Sequence, residues 1–148
     1  MRVAFDIGGV LSKYPNQFRE LILKIVSHGL GHWPAMEVFI ISDMHPKEKI
    51  VELLRLNRID GFSYDNVYCA DYDTHGDGCK AELLDQLKID LFFDDHIGYV
   101  ATSIPGTYPT IRCLVWPEAG LPYRADSWIV PDGEPEFGRK TYYKMRTP

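Results

Sequence analysis

Short apolar runs alternate with segments of helical period through the first 115 residues. That alternation limits the fold more than any other feature. It calls for parallel strands joined by crossover helices, and so for a sheet covered on both faces. Residues 2–6, 37–42 and 66–70, a run ending at Asp94, and residues 110–115 read as strands. Pro15 suits a helix start, and Phe18, Leu21, Ile22, Ile25 and Val26 then recur on one helical face. Pro46 opens a second helix through about Leu56, with Ile50, Leu53 and Leu54 inward. Ala81 to Leu87 is a third, with Leu84 and Leu87 inward, and residues 97–101 make a short fourth. Loops are expected at 29–34 and 71–78. Past Trp116 the pattern weakens, and Trp128 to Val130 is a candidate short strand.

The expectation is a three-layer, Rossmann-like α/β fold with a central, mostly parallel sheet. At 148 residues it forms one domain, with a core over about 1–115 and an extension over 116–148. The first strand starts at the amino terminus and no segment approaches the roughly 18 apolar residues of a membrane span, so the chain reads as cytoplasmic, with no membrane partner. A net charge of −5 argues against nucleic acid or anionic membrane as the general partner. Arg139, Lys140, Lys144 and Arg146 form a basic tail, read as a solvated terminus. Three cysteines without a secretion signal read as free thiols. Cys69, His75 and Cys79 lack the short Cys-x-x-Cys pair of structural zinc sites; a buried Cys69 on a strand and a Cys79 near a helix start are the simpler readings.

Chemistry gathers where strands end. Asp6 follows Val3-Ala4-Phe5 and precedes Gly8-Gly9, which puts a carboxylate at the carboxyl end of a buried strand. Open α/β sheets place their ligands there, although a strand-end Asp can also simply satisfy the next turn. Ser42 and Asp43 close the second strand, Ser42 either facing a ligand or satisfying the turn before Pro46. Lys80 opens a helix, where the dipole disfavours a cation unless carboxylates face it. Asp94-Asp95 ends the fourth strand as a pair that repels itself unless a cation or donors compensate, or that caps the helix after His96. Asp71, Asp73, His75 and Asp77 make an acidic loop, read as solvated.

The order Asp6, Ser42, Lys80, Asp94-Asp95, each at an element end, resembles the haloacid dehalogenase (HAD) superfamily, most of whose members are magnesium-dependent phosphohydrolases. About 35 residues separate Asp6 from Ser42 and about 37 separate Ser42 from Lys80, too few in either gap for a folded cap domain. The resemblance therefore implies a small capless phosphatase with an open site. It assigns Asp6 as nucleophile and Ser42 and Lys80 as phosphoryl-binding groups, with Gly9 and Asp43 beside the substrate. Magnesium falls to Asp6, the carbonyl of Gly8, Asp94 and Asp95. The implied substrate is a small phosphorylated metabolite or nucleotide. A nucleic-acid end is less favoured, and a homo-oligomer could supply a lid.

One position departs from the pattern. The family's first motif is usually Asp-x-Asp, its second Asp serving as general acid and base, and Gly8 stands there. Glycine keeps the carbonyl that a metal needs but lacks a proton donor. The implied enzyme then favours aryl, acyl or anomeric leaving groups, or borrows a proton from Lys13, Tyr14 or Asp43. The rival reading is a HAD-fold binding or regulatory module that has lost turnover. Carbon–halogen cleavage is disfavoured, because dehalogenases need no metal and Asp94-Asp95 preserves a metal motif.

Overall fold

A computed structural model describes residues 1–28, 36–102, 108–115 and 124–131. The loop expected at 29–34 and the basic tail lie outside the described residues. The strands are β1 (Arg2–Phe5), β2 (Glu37–Ser42), β3 (Val67–Cys69), β4 (Leu91–Asp94) and β5 (Ile111–Leu114). The helices are α1 (Pro15–His28), α2 (Lys47–Leu56), α3 (Tyr72–His75), α4 (Cys79–Gln86) and α5 (Ile97–Ala101). All five strands form one sheet of order β3-β2-β1-β4-β5, and every pairing is parallel. The expected Rossmann-like α/β fold is present, and its sheet is wholly parallel rather than mostly so.

Side-chain alternation along each strand divides the core into two layers. Val3, Phe5, Val38, Ile40 and Val67 face one way and pack with Ile22 and Ile25 of α1 and Ile50, Leu53 and Leu54 of α2. Ala4, Phe39, Ile41 and Phe92 face the other way and pack with Leu84 of α4 and Ile89. Phe5 stacks on Phe93 with centroids 5.1 Å apart, and Phe18 meets both edge-on. These rings lock β1 to β4, the two strands that carry the acidic residues.

Two local expectations are corrected. Residues 71–78 are not a plain loop: Asp71 accepts a hydrogen bond from the Thr74 amide at 3.2 Å and caps α3, and a 3-10 turn over Gly76–Gly78 leads into α4. An N-terminal cap can nucleate a single helical turn that apolar periodicity does not announce. Trp128 to Val130 does not form a strand. Trp128 is instead buried in the α1/α2 layer of the core, and the Ile129 main chain pairs with the side chain of Asn57. A carboxamide offers the same donor and acceptor as a peptide group, so one Asn side chain replaces a strand partner.

Candidate metal centre

The strand order fixes where a ligand can sit. From β1 the chain moves outward through β2 and β3, then returns to place β4 on the other side of β1. Such a reversal opens a crevice at the carboxyl ends of the two central strands. Asp6 extends β1, its amide donating to the Phe93 carbonyl at 3.0 Å, and Asp94 is the last residue of β4. Asp6, Asp94 and Asp95 thus converge, each offering a carboxylate oxygen, with the three oxygens within 4.8 Å of one another. Among the described residues this is the one such grouping of acidic, histidine or cysteine side chains. Asp6 and Asp94 are buried and Asp95 is half-buried.

Lys80, the second residue of α4, has no solvent exposure at all. Its Nζ lies 2.9 Å from Asp6 Oδ1 and 2.6 Å from Asp94 Oδ2. The reading of Lys80 as an exposed helix-start lysine is thereby excluded. Burial opposes its charge, but the carboxylates of Asp6, Asp94 and Asp43 outweigh that and hold it above the ordinary lysine range. Lys80 therefore remains an ammonium at any physiological pH. Asp94 also accepts the His96 amide on Oδ1 at 2.9 Å, an Asx turn ahead of α5; the helix itself is entered at His96 with no side-chain cap, so the capping role is not borne out. A carboxylate has about four lone-pair sites, which leaves room for a further partner. Three carboxylates and one ammonium give the cluster a formal charge of −2. An all-carboxylate donor set with that deficit suits a hard divalent cation.

The turn after β1 is built around its glycines. Gly9 has φ +70°, and a Cβ there would lie 2.0 Å from Asp95 Oδ2. A side chain at this position would strain the backbone and displace Asp95. Gly8, at φ −65° and ψ 128°, is buried between Asp6 and Gly9. The turn is pinned by Ser12, whose Oγ accepts the Gly9 amide at 3.0 Å and whose carbonyl accepts the Ala125 amide at 2.8 Å. Sequence reading missed Ser12; a serine three residues after a glycine in a turn is a weak local signal.

The β2 end lies beside this crevice. Phe5 pairs with Ile40, so Ser42 stands two residues beyond Ile40 while Asp6 stands one beyond Phe5. Ser42 is buried and its Oγ accepts the Met44 amide at 3.1 Å, which is the turn-satisfying role. Its own hydroxyl proton is still available to donate. Asp43 accepts a hydrogen bond from the Tyr99 hydroxyl at 2.9 Å. Lys13 is largely buried after the first turn, with Nζ 5.8 Å from the Tyr14 ring centroid. Asp77 of the acidic stretch meets His96 Nε2 at 3.3 Å. The Cys79 thiol is pushed up to about 11, mainly by burial, which makes it a poor nucleophile and ligand at neutral pH.

No family model, curated protein or solved structure matches this chain. Among the described residues no helix is long and apolar enough to cross a membrane.

Proposed function

We propose that this protein is a divalent-cation-dependent phosphohydrolase of the HAD type, acting on a phosphate monoester through an aspartyl-phosphate on Asp6. The observation that carries the reading is the buried ammonium of Lys80 held between Asp6 and Asp94, with Asp95 alongside, at the switch point of a parallel sheet. Asp6, Asp94, Asp95 and the Gly8 carbonyl would hold the cation, for which Mg²⁺ is the best candidate. A bound cation supplies charge neutralisation for the phosphoryl oxygens.

The residues divide the remaining work. A carboxylate oxygen of Asp6 attacks phosphorus, a P–O bond forms, and the bond to the leaving oxygen breaks. Attack of anion on anion requires fixed positive charge, and Lys80 provides it from a dry position. Ser42 donates its free hydroxyl proton to a phosphoryl oxygen, and the Gly9 turn lies beside the same group, with Asp43 at the substrate edge. Water then attacks phosphorus and releases phosphate, regenerating Asp6. Position 8 has no side chain to protonate the leaving group, a loss of typically about 10²- to 10⁴-fold. The substrates are therefore aryl, acyl or anomeric phosphates of small metabolites or nucleotides. The absent donor is also the observation behind the second reading, a metal- and phosphate-binding module without turnover.

Phosphate release from an aryl phosphate tests both, with Mg²⁺ or chelator and Asp6→Asn as the blank. Release that requires Mg²⁺ and vanishes in Asp6→Asn supports the phosphohydrolase. Equal release in wild type and Asp6→Asn refutes it. Mg²⁺ binding with no turnover on aryl, sugar and nucleotide phosphates favours the binding module.

A further inference from the structure

The roles above leave Tyr99, a buried side chain beside the site, without work. Tyr99 of α5 has no solvent exposure. His96 packs edge-on against its ring with centroids 4.7 Å apart, and Tyr72 does so at 6.3 Å. The ring is thus clamped, and both of its functional surfaces are occupied. Its face lies beside Lys80, with Nζ 4.3 Å from the ring centroid. Its hydroxyl donates to Asp43 Oδ2 at 2.9 Å.

These two contacts address one problem. Asp6, Asp94 and Asp43 all attract the Lys80 ammonium, yet its short ion pairs go to Asp6 and Asp94. A flexible four-carbon stem does not choose among three carboxylates by itself. An aromatic face attracts a desolvated cation and blocks the path around it. A hydroxyl bonded to Asp43 compensates that carboxylate without the lysine. We propose that Tyr99 is the positioning residue for Lys80: its ring holds the ammonium in the gap between Asp6 and Asp94, and its hydroxyl keeps Asp43 from drawing the ammonium away. The functional part rests on reading Lys80 as the phosphoryl-binding cation, whereas the geometric part does not.

The test uses the full chain labelled with ¹⁵N-lysine. Protons beside an aromatic face resonate upfield, and the Lys80 ammonium signal is the one lost in Lys80→Arg. In Tyr99→Leu that signal should move downfield but only part of the way, because the Phe92 ring, with its centroid 5.7 Å from Nζ, remains. In Tyr99→Phe, which keeps the ring, it should stay upfield but shift or broaden as Asp43 competes. Adding Asp43→Asn to Tyr99→Phe should return it to the wild-type position. An unchanged signal in Tyr99→Leu overturns the proposal. Should that variant not fold, a Tyr99→Phe spectrum superimposable on wild type overturns it instead. With an aryl phosphate and Mg²⁺, kcat/KM in Tyr99→Phe should fall about tenfold and mainly through kcat, because Lys80 acts on the charge of the attacking step. If wild type releases no phosphate, the phosphohydrolase reading fails and the spectra still decide the role of Tyr99.

Discussion

Replacing Lys80 by Met removes the ammonium bonded to Asp6 and Asp94 while keeping most of the stem volume. Its Nζ lies 2.9 and 2.6 Å from two carboxylates that are themselves buried. At an effective dielectric of about 20 each pair attracts by roughly 6 kcal/mol, and the cost of desolvating a fully buried ammonium offsets most of this. What the substitution leaves is uncompensated buried charge, typically costing about 3–5 kcal/mol. In a chain of 148 residues that lowers the melting temperature by roughly 10 °C. Urea and thermal unfolding should show this loss in chelator. The cluster then carries a formal −3 instead of −2, so Mg²⁺ should stabilise the variant more than wild type. Saturation at about 100 times Kd contributes about 2.7 kcal/mol. Combining Lys80→Met with Asp94→Asn in chelator should recover more than half of the loss, because one unpaired charge is gone. A loss below about 1 kcal/mol in chelator, or an equal Mg²⁺ increment in both proteins, refutes the electrostatic account.

Three further perturbations probe other parts of the argument. Gly9→Ala forces a Cβ into Asp95 at a positive φ, so Mg²⁺ affinity measured by calorimetry should fall, with a stability cost of about 1–3 kcal/mol. Asn57→Ala removes two hydrogen bonds to the Ile129 main chain and one to the Leu53 carbonyl, and should cost about 1–3 kcal/mol in urea unfolding without changing Mg²⁺ affinity. Asp90 ties the amino ends of β1 and β5: its carboxylate accepts the Arg2 amide at 2.7 Å and the Tyr108 hydroxyl. Burial raises its pKa, but these bonds outweigh it and hold the group below its usual value. A lowered folded pKa contributes stability above the unfolded value near 4 and loses it as pH falls through the folded one. The stability gap between wild type and Asp90→Asn should therefore be full near pH 6 and shrink below about pH 4; a gap independent of pH contradicts the assignment.

Much of the fold was legible because it follows from local periodicity. Val3, Phe5, Val38 and Ile40 alternate toward one helical layer, and Ala4, Phe39 and Ile41 toward the other, as a strand buried on both faces requires. The acidic residues were legible for a related reason: a carboxylate directly after an apolar run has no packing explanation. Less legible were polar residues whose partners lie far along the chain. Tyr99 meets Asp43 across 56 residues and Asn57 meets Ile129 across 72, and no spacing rule links such pairs. Residues 71–78 were misread because one capped turn is too short for a helical period to register.

The sequence by itself determined the five strands, the longer helices, the parallel architecture and the strand ends at which carboxylates stand. These depend on side-chain period and on residues adjacent in the chain. Only the tertiary structure decided that Lys80 is fully buried between Asp6 and Asp94, that Ser12 and Ala125 pin the glycine turn, and that Tyr99 stands between Lys80 and Asp43. The physical reason is the strand order. Placing β4 beside β1 brings together groups almost ninety residues apart, and their charges interact through a low-dielectric crevice that no local stretch of sequence describes.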